Sequence, residues 1–256
     1  MNEPLKVVVL GSGSSGNAAL VEIGGCRFLL DCGLAPNELS RRLLTCGRTF
    51  SSLTGVLLSH EHGDHCVGLK AAGRAGTAVF GTEGTVRALG GKFRNDSINW
   101  RVFPSNSVFD INGVQVTAFR VSHDAAEPVG YMLRYGDDRV GYVPDCGLVT
   151  VEMVGLLAGC TVLLIESNHD RTMLNRSDRP AVLKQRIEGP TGHLSNEQAA
   201  DLLSRVTWPG LKAACLIHLS GECNTEELAR AVVGATIDSA CKLYVGRAGD
   251  VVECAW

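Results

Sequence analysis

Four candidate metal ligands, His60, His62, Asp64 and His65, lie within one stretch of six residues, His60-Glu61-His62-Gly63-Asp64-His65. The stretch follows Gly55-Val56-Leu57-Leu58-Ser59, a short apolar run that predicts a buried strand. The hexad therefore lies on the loop that leaves a strand, where binding and catalytic residues concentrate. Imidazole and carboxylate together favour zinc, manganese or iron over calcium. Two histidines two residues apart can hold one ion, while Asp64 and His65 point to a second.

This pattern differs from the His-Glu-x-x-His helix of metalloproteases. That motif needs a histidine where this chain has Asp64, and Gly63 weakens any helix through the hexad. The alternative interpretation is a polar surface loop that happens to be rich in histidine. Four ligand side chains in order directly after a strand favour a metal site instead.

Three further candidate ligands, His123, Asp145 and His218, each follow an apolar run in a distant part of the sequence. A hydrolytic site for two metal ions needs about three ligands beyond the hexad. The ends of strands on one edge of a sheet converge in space, so these three side chains can complete such a site. Taken singly, each would be interpreted as a structural histidine or a turn aspartate.

In order and along nearly the whole chain, these residues resemble the metallo-β-lactamase superfamily, whose pattern is H-x-H-x-D-H, then His, Asp and His. The resemblance implies an α/β fold, a four-layer αββα sandwich of two mixed sheets with helices outside, and two divalent ions, Zn²⁺ or Mn²⁺. The first ion would be bound by His60, His62 and His123, the second by Asp64, His65 and His218, and Asp145 would bridge them. The flavodiiron oxidoreductases of the superfamily typically have glutamate where this chain has His62, so hydrolysis is favoured over redox chemistry.

A glycine-rich loop near the N-terminus offers a competing interpretation. Gly11-Ser12-Gly13-Ser14-Ser15-Gly16 satisfies the G-x-G-x-x-G pattern of dinucleotide binding, and Asp31 lies where the ribose-binding acid would be expected. However, a strand–helix–strand crossover needs at least about 10–12 residues, and only residues 17–25 precede the next strand-like run. Residues 17–23 are better interpreted as a strand, joined to the next by a Gly24-Gly25 turn. The loop then predicts a tight turn whose backbone could approach a substrate.

The same loop narrows the resemblance, because residues 11–17 are similar to the G-S-G-S-x-G-N opening of the YycJ/WalJ branch. Other segments that resemble this branch are Leu30-Asp31-Cys32-Gly33, Glu166-Ser167-Asn168-His169-Asp170, Gly192-His193-Leu194-Ser195-Asn196 and His218-Leu219-Ser220. The branch implies phosphodiester hydrolysis of the 5′-directed DNA exonuclease kind. In the related ribonuclease Z, a glutamate after a strand and a histidine in a G-H-S/T motif act near the leaving group. Glu166 and His193 stand at similar positions here.

The expected function is therefore a dinuclear metal-dependent phosphodiesterase that cleaves nucleic acid, with DNA favoured over RNA because the chain lacks a β-CASP insertion or a tRNA-clamping arm. A hydroxide held between the metals would attack phosphorus, since two cations lower the pKa of bound water. His193 would protonate the leaving oxygen, with Glu166 orienting its imidazole. Asp64 is counted with them as catalytic.

Candidate substrate contacts are Ser14, Asn17 and His169, although His169 could instead support the site or cap the following segment. Two other functions stay open. A glyoxalase- or lactonase-type thioester or ester hydrolase would share the metal site without needing Glu166 and His193. A metal-containing regulatory protein without turnover would need only the ligands.

Composition limits the architecture more than the function. The chain has 256 residues, 45% hydrophobic and 20% charged, which suffices for a large core in a single domain over residues 1–256. Strand-like runs alternate with amphipathic helices at residues 36–46, 196–206 and 225–233, a pattern typical of the α/β class. Residues 129–135 and 139–143 predict a hairpin that leads to Asp145.

A net charge of −3 gives the chain no overall basic field, so binding DNA would require a local patch. The candidate patch is the segment between Glu166 and His193, with Arg171, Arg176, Arg179, Lys184 and Arg186. Asp170, Asp178 and Glu188 partly offset these charges, and a solvated surface is an equally good interpretation.

We expect a cytoplasmic protein, because Met1-Asn2-Glu3-Pro4 lacks the basic start of a signal peptide and no apolar run reaches membrane-spanning length. The ten cysteines form no C-x-x-C pair, so reduced thiols packed in the core are expected. Cys66 and Cys146 adjoin proposed ligands, and packing is the expected role of both.

Overall fold

The computed structural model describes residues 4–93 and 97–256, and within these ranges fourteen strands form two sheets of seven. The strands are β1 (Lys6–Gly11), β2 (Ala18–Ile23), β3 (Cys26–Leu30), β4 (Gly55–Leu57), β5 (Ala78–Thr82), β6 (Asn99–Phe103), β7 (Ser107–Ile111), β8 (Val114–Arg120), β9 (Val129–Tyr135), β10 (Asp138–Val143), β11 (Val162–Glu166), β12 (Ala213–Ile217), β13 (Lys242–Val245) and β14 (Val252–Cys254). The helices are α1 (Pro36–Thr45), α2 (Gly63–Cys66), α3 (Leu69–Ala75), α4 (Glu83–Leu89), α5 (Val151–Leu157), α6 (Arg171–Arg176), α7 (Ala181–Glu188), α8 (Asn196–Val206) and α9 (Glu226–Gly234), with a 3₁₀ turn at Phe50–Ser52.

Both sheets are mixed. The first has the order β14-β1-β2-β3-β4-β5-β6, and the second has the order β13-β12-β11-β10-β9-β8-β7. β3 to β6 run parallel in the first sheet, and β10 to β13 run parallel in the second. β8 and β10 both pair antiparallel with β9, so these two strands also share one direction.

Apolar side chains divide the molecule into four layers. One buried cluster joins the inner faces of the two sheets, where Val21 and Phe28 of the first sheet share a core with Tyr131 and Leu164 of the second. A second cluster packs α5, α8 and α9 onto the outer face of the second sheet, and a third packs α1 and α3 onto the first. Alternation of inward and outward apolar side chains along the strands produces these layers. The expected α/β four-layer αββα sandwich is confirmed.

The glycine loop has the geometry of a turn between two antiparallel strands. β1 and β2 pair antiparallel, and Gly13 and Gly16 have φ of 128° and 148°, which side chains with a Cβ rarely adopt. Gly24 and Gly25, with φ of 58° and 77°, form the next turn, between β2 and β3. No crossover helix separates β1 from β2 in this described segment, so the loop is not a dinucleotide-binding element.

The hexad contains one element that the sequence did not predict. α2 begins at Gly63 and spans only four residues, whereas His62 before it is extended, with φ −61° and ψ 150°. The glycine was expected to weaken a helix, but it lies in the first turn, where the cost of glycine is small. The helix carries Asp64 and His65 on a tight turn, while His60 and His62 stay on extended chain.

Among the described residues, no helix combines the length and apolar character needed to cross a membrane. Met1-Asn2-Glu3, the start of the chain, which lacks the basic residues of a signal peptide, lies outside the described residues.

The sheets bring the carboxyl ends of distant strands to one edge. Segments that follow β4, β8, β10 and β12 carry the hexad, His123, Asp145 and His218, and Glu166 is the last residue of β11. At the same edge, the loop after β3 lies directly against the hexad. Gly33 is in such close contact there that a Cβ on it would lie 1.6 Å from the carbonyl oxygen of Asp64.

Gly33→Ala should therefore destabilise the fold. The colliding atom belongs to the backbone rather than to a flexible side chain, so the two loops must separate. Overpacking of a well-filled interior costs about 1–3 kcal/mol. We expect a lower urea midpoint and a lower Tm for this variant.

Gly155→Ala is the matched control, because Gly155 lies on an exposed position of α5 and a Cβ there would meet no atom of the described chain within 4 Å. This second change should raise stability by about 0.5–1 kcal/mol, the usual gain of alanine over glycine in a helix. If both variants had a urea midpoint equal to or above that of the parent chain, the close contact at Gly33 would make no contribution to the stability of the fold.

Candidate metal centre

Seven histidine and aspartate side chains predicted from the sequence converge at the carboxyl edge of the sheets. They form two groups whose candidate ligand atoms lie within 4.8 Å of one another, and Asp145 belongs to both. The first group is His60, His62, His123 and Asp145, and the second is Asp64, His65, Asp145 and His218. The convergence follows from the strand directions, since each residue follows the carboxyl end of a strand.

In the first group, ring nitrogens and one carboxylate oxygen face a common point. His123 Nε2 lies 3.2 Å from His62 Nδ1 and 3.4 Å from Asp145 Oδ2, and His60 Nε2 lies 3.8 Å from the same oxygen. Ligands about 2.0–2.2 Å from a tetrahedral ion are separated from each other by about 3.3–3.6 Å. The spacing of the donors therefore fits one ion.

The second group has the same spacing around the other carboxylate oxygen. His65 Nε2 lies 3.2 Å from Asp145 Oδ1 and 3.5 Å from Asp64 Oδ2. His218 Nε2 lies 3.3 Å from Asp64 Oδ2. Each oxygen of Asp145 thus faces a different group of donors.

In four of the histidines Nδ1 contacts a neighbouring polar atom of the protein, an arrangement that is usual for histidines that bind metals. His60 Nδ1 lies 2.9 Å from Ser59 Oγ, and His65 Nδ1 lies 2.6 Å from Asp31 Oδ2. His123 Nδ1 lies 3.0 Å from the carbonyl oxygen of Gly192, and His218 Nδ1 lies 2.8 Å from Glu166 Oε1. These contacts leave each Nε2 facing the centre.

One buried atom is an independent sign that a cation belongs here. His60 is 1% exposed, and its Nε2 has no hydrogen-bond partner within the described ranges. A buried polar nitrogen without a partner is costly, and a metal ion would satisfy it. The donor set and this orphaned nitrogen together fit divalent metal binding.

The charge states of two central groups suit ligation. Burial lowers the pKa of His60 well below its usual value, and the neighbouring His65 lowers it further. His60 is therefore neutral, the form in which imidazole binds metals. Burial alone would raise the pKa of Asp145, but the charges of His218 and His65 outweigh it and hold that pKa well below its usual value.

Glu166 and His193 form a hydrogen-bonded pair beside the metal ligands. His193 Nδ1 lies 2.7 Å from Glu166 Oε1, and the other carboxylate oxygen accepts hydrogen bonds from the backbone N–H of Cys146 and Leu194. Glu166 is fully buried, whereas the His193 side chain is 21% exposed. Burial lowers the pKa of His193, but the charge of Glu166 more than compensates and raises it.

Glu166 has a second role that the sequence did not predict, because the same Oε1 contacts His218 as well as His193. Asp145, Glu166, His193 and His218 consequently form a third group of donors close enough to hold an ion. Geometry alone therefore leaves two roles open for His193, as a proton donor or as a ligand.

The ligand cluster opens into a cleft of about 220 Å³. Its lining includes Ser14, Arg179, Arg186 and His193 together with several of the candidate ligands. Arg186 forms an ion pair with Asp124 at 2.5 Å, and Arg179 pairs with Glu222 at 2.9 Å. Of the five cationic residues in the predicted patch, only these two line the described part of this cleft.

The three candidate substrate contacts have different surroundings. Ser14 is exposed on the cleft wall. Asn17 is buried, and its Nδ2 lies 3.3 Å from Asp64 Oδ2 and 3.2 Å from His65 Nε2. His169 is 1% exposed and lines a separate small cavity with Arg171, and burial lowers its pKa to about 4.

Both cysteines next to ligands are packing residues. The thiol of Cys146 donates to the carbonyl oxygen of Leu148 at 3.2 Å, and burial together with Glu166 raises its pKa to about 12. The thiol of Cys66 donates to the carbonyl oxygen of Glu61 at 3.3 Å. Neither belongs to a metal-binding group among the described residues.

Asp31 is the main functional residue that the sequence argument missed. The sequence indicates it as a possible ribose-binding acid and as part of the segment Leu30-Asp31-Cys32-Gly33. In the structure its carboxylate accepts hydrogen bonds from Ser59 N, Ser59 Oγ and Tyr142 Oη at 2.7, 2.8 and 2.6 Å, besides holding His65. The signal was present, because Asp31 follows β3 and the hexad follows the neighbouring parallel strand β4.

Comparison with known proteins gives the family that the sequence motifs resemble. Residues 26–219 match the beta-lactamase superfamily domain. The chain is 32% identical over 232 residues to exodeoxyribonuclease YycJ of Bacillus anthracis, with 90% of this chain and 88% of the relative covered. It is 33% identical over 228 residues to exodeoxyribonuclease WalJ of Streptococcus pneumoniae serotype 2, with 88% and 85% covered.

The fold agrees with a solved structure from a more distant protein. The metallo-β-lactamase fold protein YhfI of Bacillus subtilis has a TM-score of 0.74 at 17% identity, with 98% of this chain and 100% of that chain covered. The resemblance inferred from the sequence is thus confirmed: this chain belongs to the metallo-β-lactamase superfamily, in the branch that contains YycJ and WalJ.

Proposed function

We propose that this protein is a dinuclear metal-dependent phosphodiesterase that acts on nucleic acid as a 5′-directed DNA exonuclease. The observation that carries the proposal is the Glu166–His193 pair beside the metal ligands, in which the buried Glu166 holds His193 and His193 lines the cleft. Phosphodiester cleavage expels an alkoxide that needs a proton, and a held histidine supplies one. The relatives named exodeoxyribonuclease, 32–33% identical over most of their length, support DNA as the substrate.

The two groups of donors support a pair of divalent ions, Zn²⁺ or Mn²⁺. His60, His62 and His123 would hold the first ion, and Asp64, His65 and His218 the second. Asp145 would bridge them, since its two oxygens face different groups. When bound, such a pair lowers the pKa of water to supply the nucleophile and neutralises charge that develops on the phosphate.

The residues around the ions have separable tasks. Glu166 holds Nδ1 of His193, so Nε2 is the nitrogen free to donate a proton to the leaving oxygen. Asp64 fixes the reaction geometry as a ligand, and Asn17 holds Asp64 in place. Ser14 contacts the substrate from the cleft wall, and His169 supports the segment around His193 from outside the cleft.

The Glu166–His193 pair weighs against a thioester hydrolase and against a regulatory protein, whereas against a lactonase or ester hydrolase, which also expels an alkoxide, the support comes from the relatives named exodeoxyribonuclease. A glyoxalase-type thioester hydrolase would not need a proton donor for its leaving group, because a thiolate leaves readily. A regulatory protein would not need a half-buried histidine held by a buried glutamate at an open cleft. We also propose a cytoplasmic location, because all ten cysteines are free and such thiols persist in a reducing compartment.

Asp145→Ala should reduce the occupancy of both metal positions, because the carboxylate is shared. The parent chain should bind two ions, and the variant should fall below one when both are measured by elemental analysis after gentle purification. Asp201→Ala, at an exposed aspartate of α8, is the control and should keep two ions. A parent stoichiometry that never exceeds one after reconstitution would exclude the dinuclear mechanism.

His193→Ala should lower the rate on DNA by about 10²–10⁴-fold, the usual contribution of a general acid. The same variant should keep far more activity on bis(p-nitrophenyl) phosphate, because nitrophenolate leaves without a proton. Steady-state rates on both substrates and the metal content of each sample provide the measurement. His193 is the cleaner position to change, since Glu166 also holds the candidate ligand His218.

Two outcomes would contradict the proposed role of His193. Loss of a metal ion from His193→Ala would make this residue a ligand of the third donor group. Equal slowing of both substrates, with chemistry limiting the rate, would make it a substrate-positioning residue.

Arg179 and Arg186 should contact the DNA backbone, because both line the cleft. Their double alanine variant should raise KM for a long oligonucleotide and lower the slope of log binding against log salt by about 0.7–0.9 for each phosphate interaction that is removed. The control is the double alanine variant of Arg171 and Arg176, which removes the same charge from α6 outside the cleft. Equal effects of the two variants would show that only overall charge matters.

A further inference from the structure

We propose that a second cavity, beside the metal cleft, binds the nucleoside whose phosphate is held at the metal centre. This subsite rests on the phosphodiesterase function proposed above. We call it the serine-loop cavity, and it is formed by residues 12–15, 219–221 and 245–248 together with the start of α9. Its volume is about 420 Å³.

The serine-loop cavity adjoins the metal cleft. Ser14 and Ser220 line both spaces, and Ser220 lies two residues after the candidate ligand His218. A phosphate at the metal centre therefore has one substituent within reach of this cavity. The glycine loop, interpreted from the sequence as a turn whose backbone approaches a substrate, forms the wall between them.

The cavity is held in shape by hydrogen bonds between its loops. The N–H of Ser12 donates to the carbonyl oxygen of Arg247 at 3.1 Å, and the N–H of His218 donates to Ser12 Oγ at 2.6 Å. The N–H of Gly246 donates to the carbonyl oxygen of Leu216 at 2.8 Å. A binding site built on ordered loops loses little entropy when a ligand enters.

The chemistry of the lining suits a nucleoside better than a second phosphate. Leu219, Val245 and Ala248 provide apolar surface, and the exposed residues Ser14 and Ser15 provide hydroxyl groups at the rim. Apolar walls with a few polar groups are typical of sites for small organic ligands.

The charged groups of the cavity cancel. Glu226 and Arg247 both line it and form an ion pair with each other, so the two charges offset each other inside the cavity. Arg179 and Arg186 line the metal cleft instead, where divalent ions held by the candidate ligands would add further positive charge. The cavity is therefore the neutral part of the substrate path.

The position of the cavity selects one of the two nucleosides joined by the scissile phosphate. None of the described residues that line it comes from the segment 179–193, which carries the proposed proton donor His193. The leaving nucleoside must lie beside His193. In the proposed reaction the P–O3′ bond breaks and His193 protonates the departing 3′ oxygen, so the cavity receives the nucleoside that keeps the phosphate on its 5′ oxygen.

Inhibition of bis(p-nitrophenyl) phosphate hydrolysis tests this assignment with three probes: inorganic phosphate, deoxyadenosine 5′-monophosphate and deoxyadenosine 3′-monophosphate. For the parent protein, the 5′-monophosphate should inhibit at an at least about 10-fold lower concentration than inorganic phosphate, because burial of roughly 60 Å² of the apolar surface of the nucleoside suffices for a tenfold gain at about 25 cal/mol per Å². Ala248→Trp, which fills the cavity, should abolish this advantage of the 5′ isomer.

Val251→Trp is the matched control, because it introduces the same side chain at an exposed residue three positions away that lies outside the cavity lining. It should preserve the advantage of the 5′-monophosphate. If Ala248→Trp also preserved it in an active enzyme, the subsite would be refuted while the proposed function stood. If the Trp substitution weakened only the 3′ isomer, the cavity would belong to the leaving nucleoside and our assignment would be wrong.

A failure of the proposed function would look different. The metal-loaded parent protein would then cleave neither DNA nor the small diester. Calorimetric titration with the 5′-monophosphate would still report on the cavity in that case, since binding needs no turnover. Absence of binding there would overturn the subsite as well.

Discussion

A single buried carboxylate ties the two sheets to the metal centre. Asp31 leaves the first sheet after β3, and Tyr142 on β10 of the second sheet donates to it across the core. The same carboxylate accepts from Ser59 at the start of the hexad and holds His65. Hydrogen bonds to a charged group contribute about 1.5–3 kcal/mol each, and a charge left without them would be far costlier. Asp31 therefore adds a polar link to the apolar core between the sheets and, through the same carboxylate, orients one candidate ligand.

Backbone strain at this edge indicates how tightly it is built. Asp31 and His218 have φ of 58° and 56°, in the left-handed region that side chains with a Cβ seldom occupy. Each such residue costs of order 1–3 kcal/mol and persists only where its surroundings require it. Here the requirement is visible, since both residues turn sharply from a strand end toward the donors of the second group. The strain at these two residues lowers the free energy of unfolding, and such strain is common at functional sites.

The α/β class and the candidate ligands could be predicted because both leave short, local patterns in the sequence, whereas the four-layer sandwich was expected from the resemblance to the superfamily. Apolar runs marked the strands, and a polar residue after each run marked the site edge, so His123, Asp145 and His218 were found without knowledge of the topology. Contacts across the sheets leave no such pattern. Tyr142 and Asp31 are 111 residues apart, and nothing in either local sequence indicates that they meet.

Local sequence patterns also failed to predict that one carboxylate oxygen contacts two histidines and which surface charges line the cleft. Glu166 was expected to serve His193 alone, because spacing in the sequence does not reveal that His218 reaches the same oxygen. The cationic patch was predicted as one block of five residues. Only two of them, Arg179 and Arg186, line the cleft. The chain changes direction between α6 and α7, and the position of such a helix boundary depends on tertiary packing.

Charge distribution explains how a chain with a net charge of −3 can take an anionic substrate. The buried carboxylates of Asp145 and Glu166 would repel a phosphate if they stood alone. Their negative charge instead concentrates cations at one point, where two divalent ions would contribute four positive charges at the reacting phosphate. We therefore propose that attraction for the substrate depends on the bound ions and on Arg179 and Arg186 at the rim of the cleft, rather than on the surface as a whole. In this proposal the serine-loop cavity adds no net charge of its own, because Glu226 and Arg247 offset each other there.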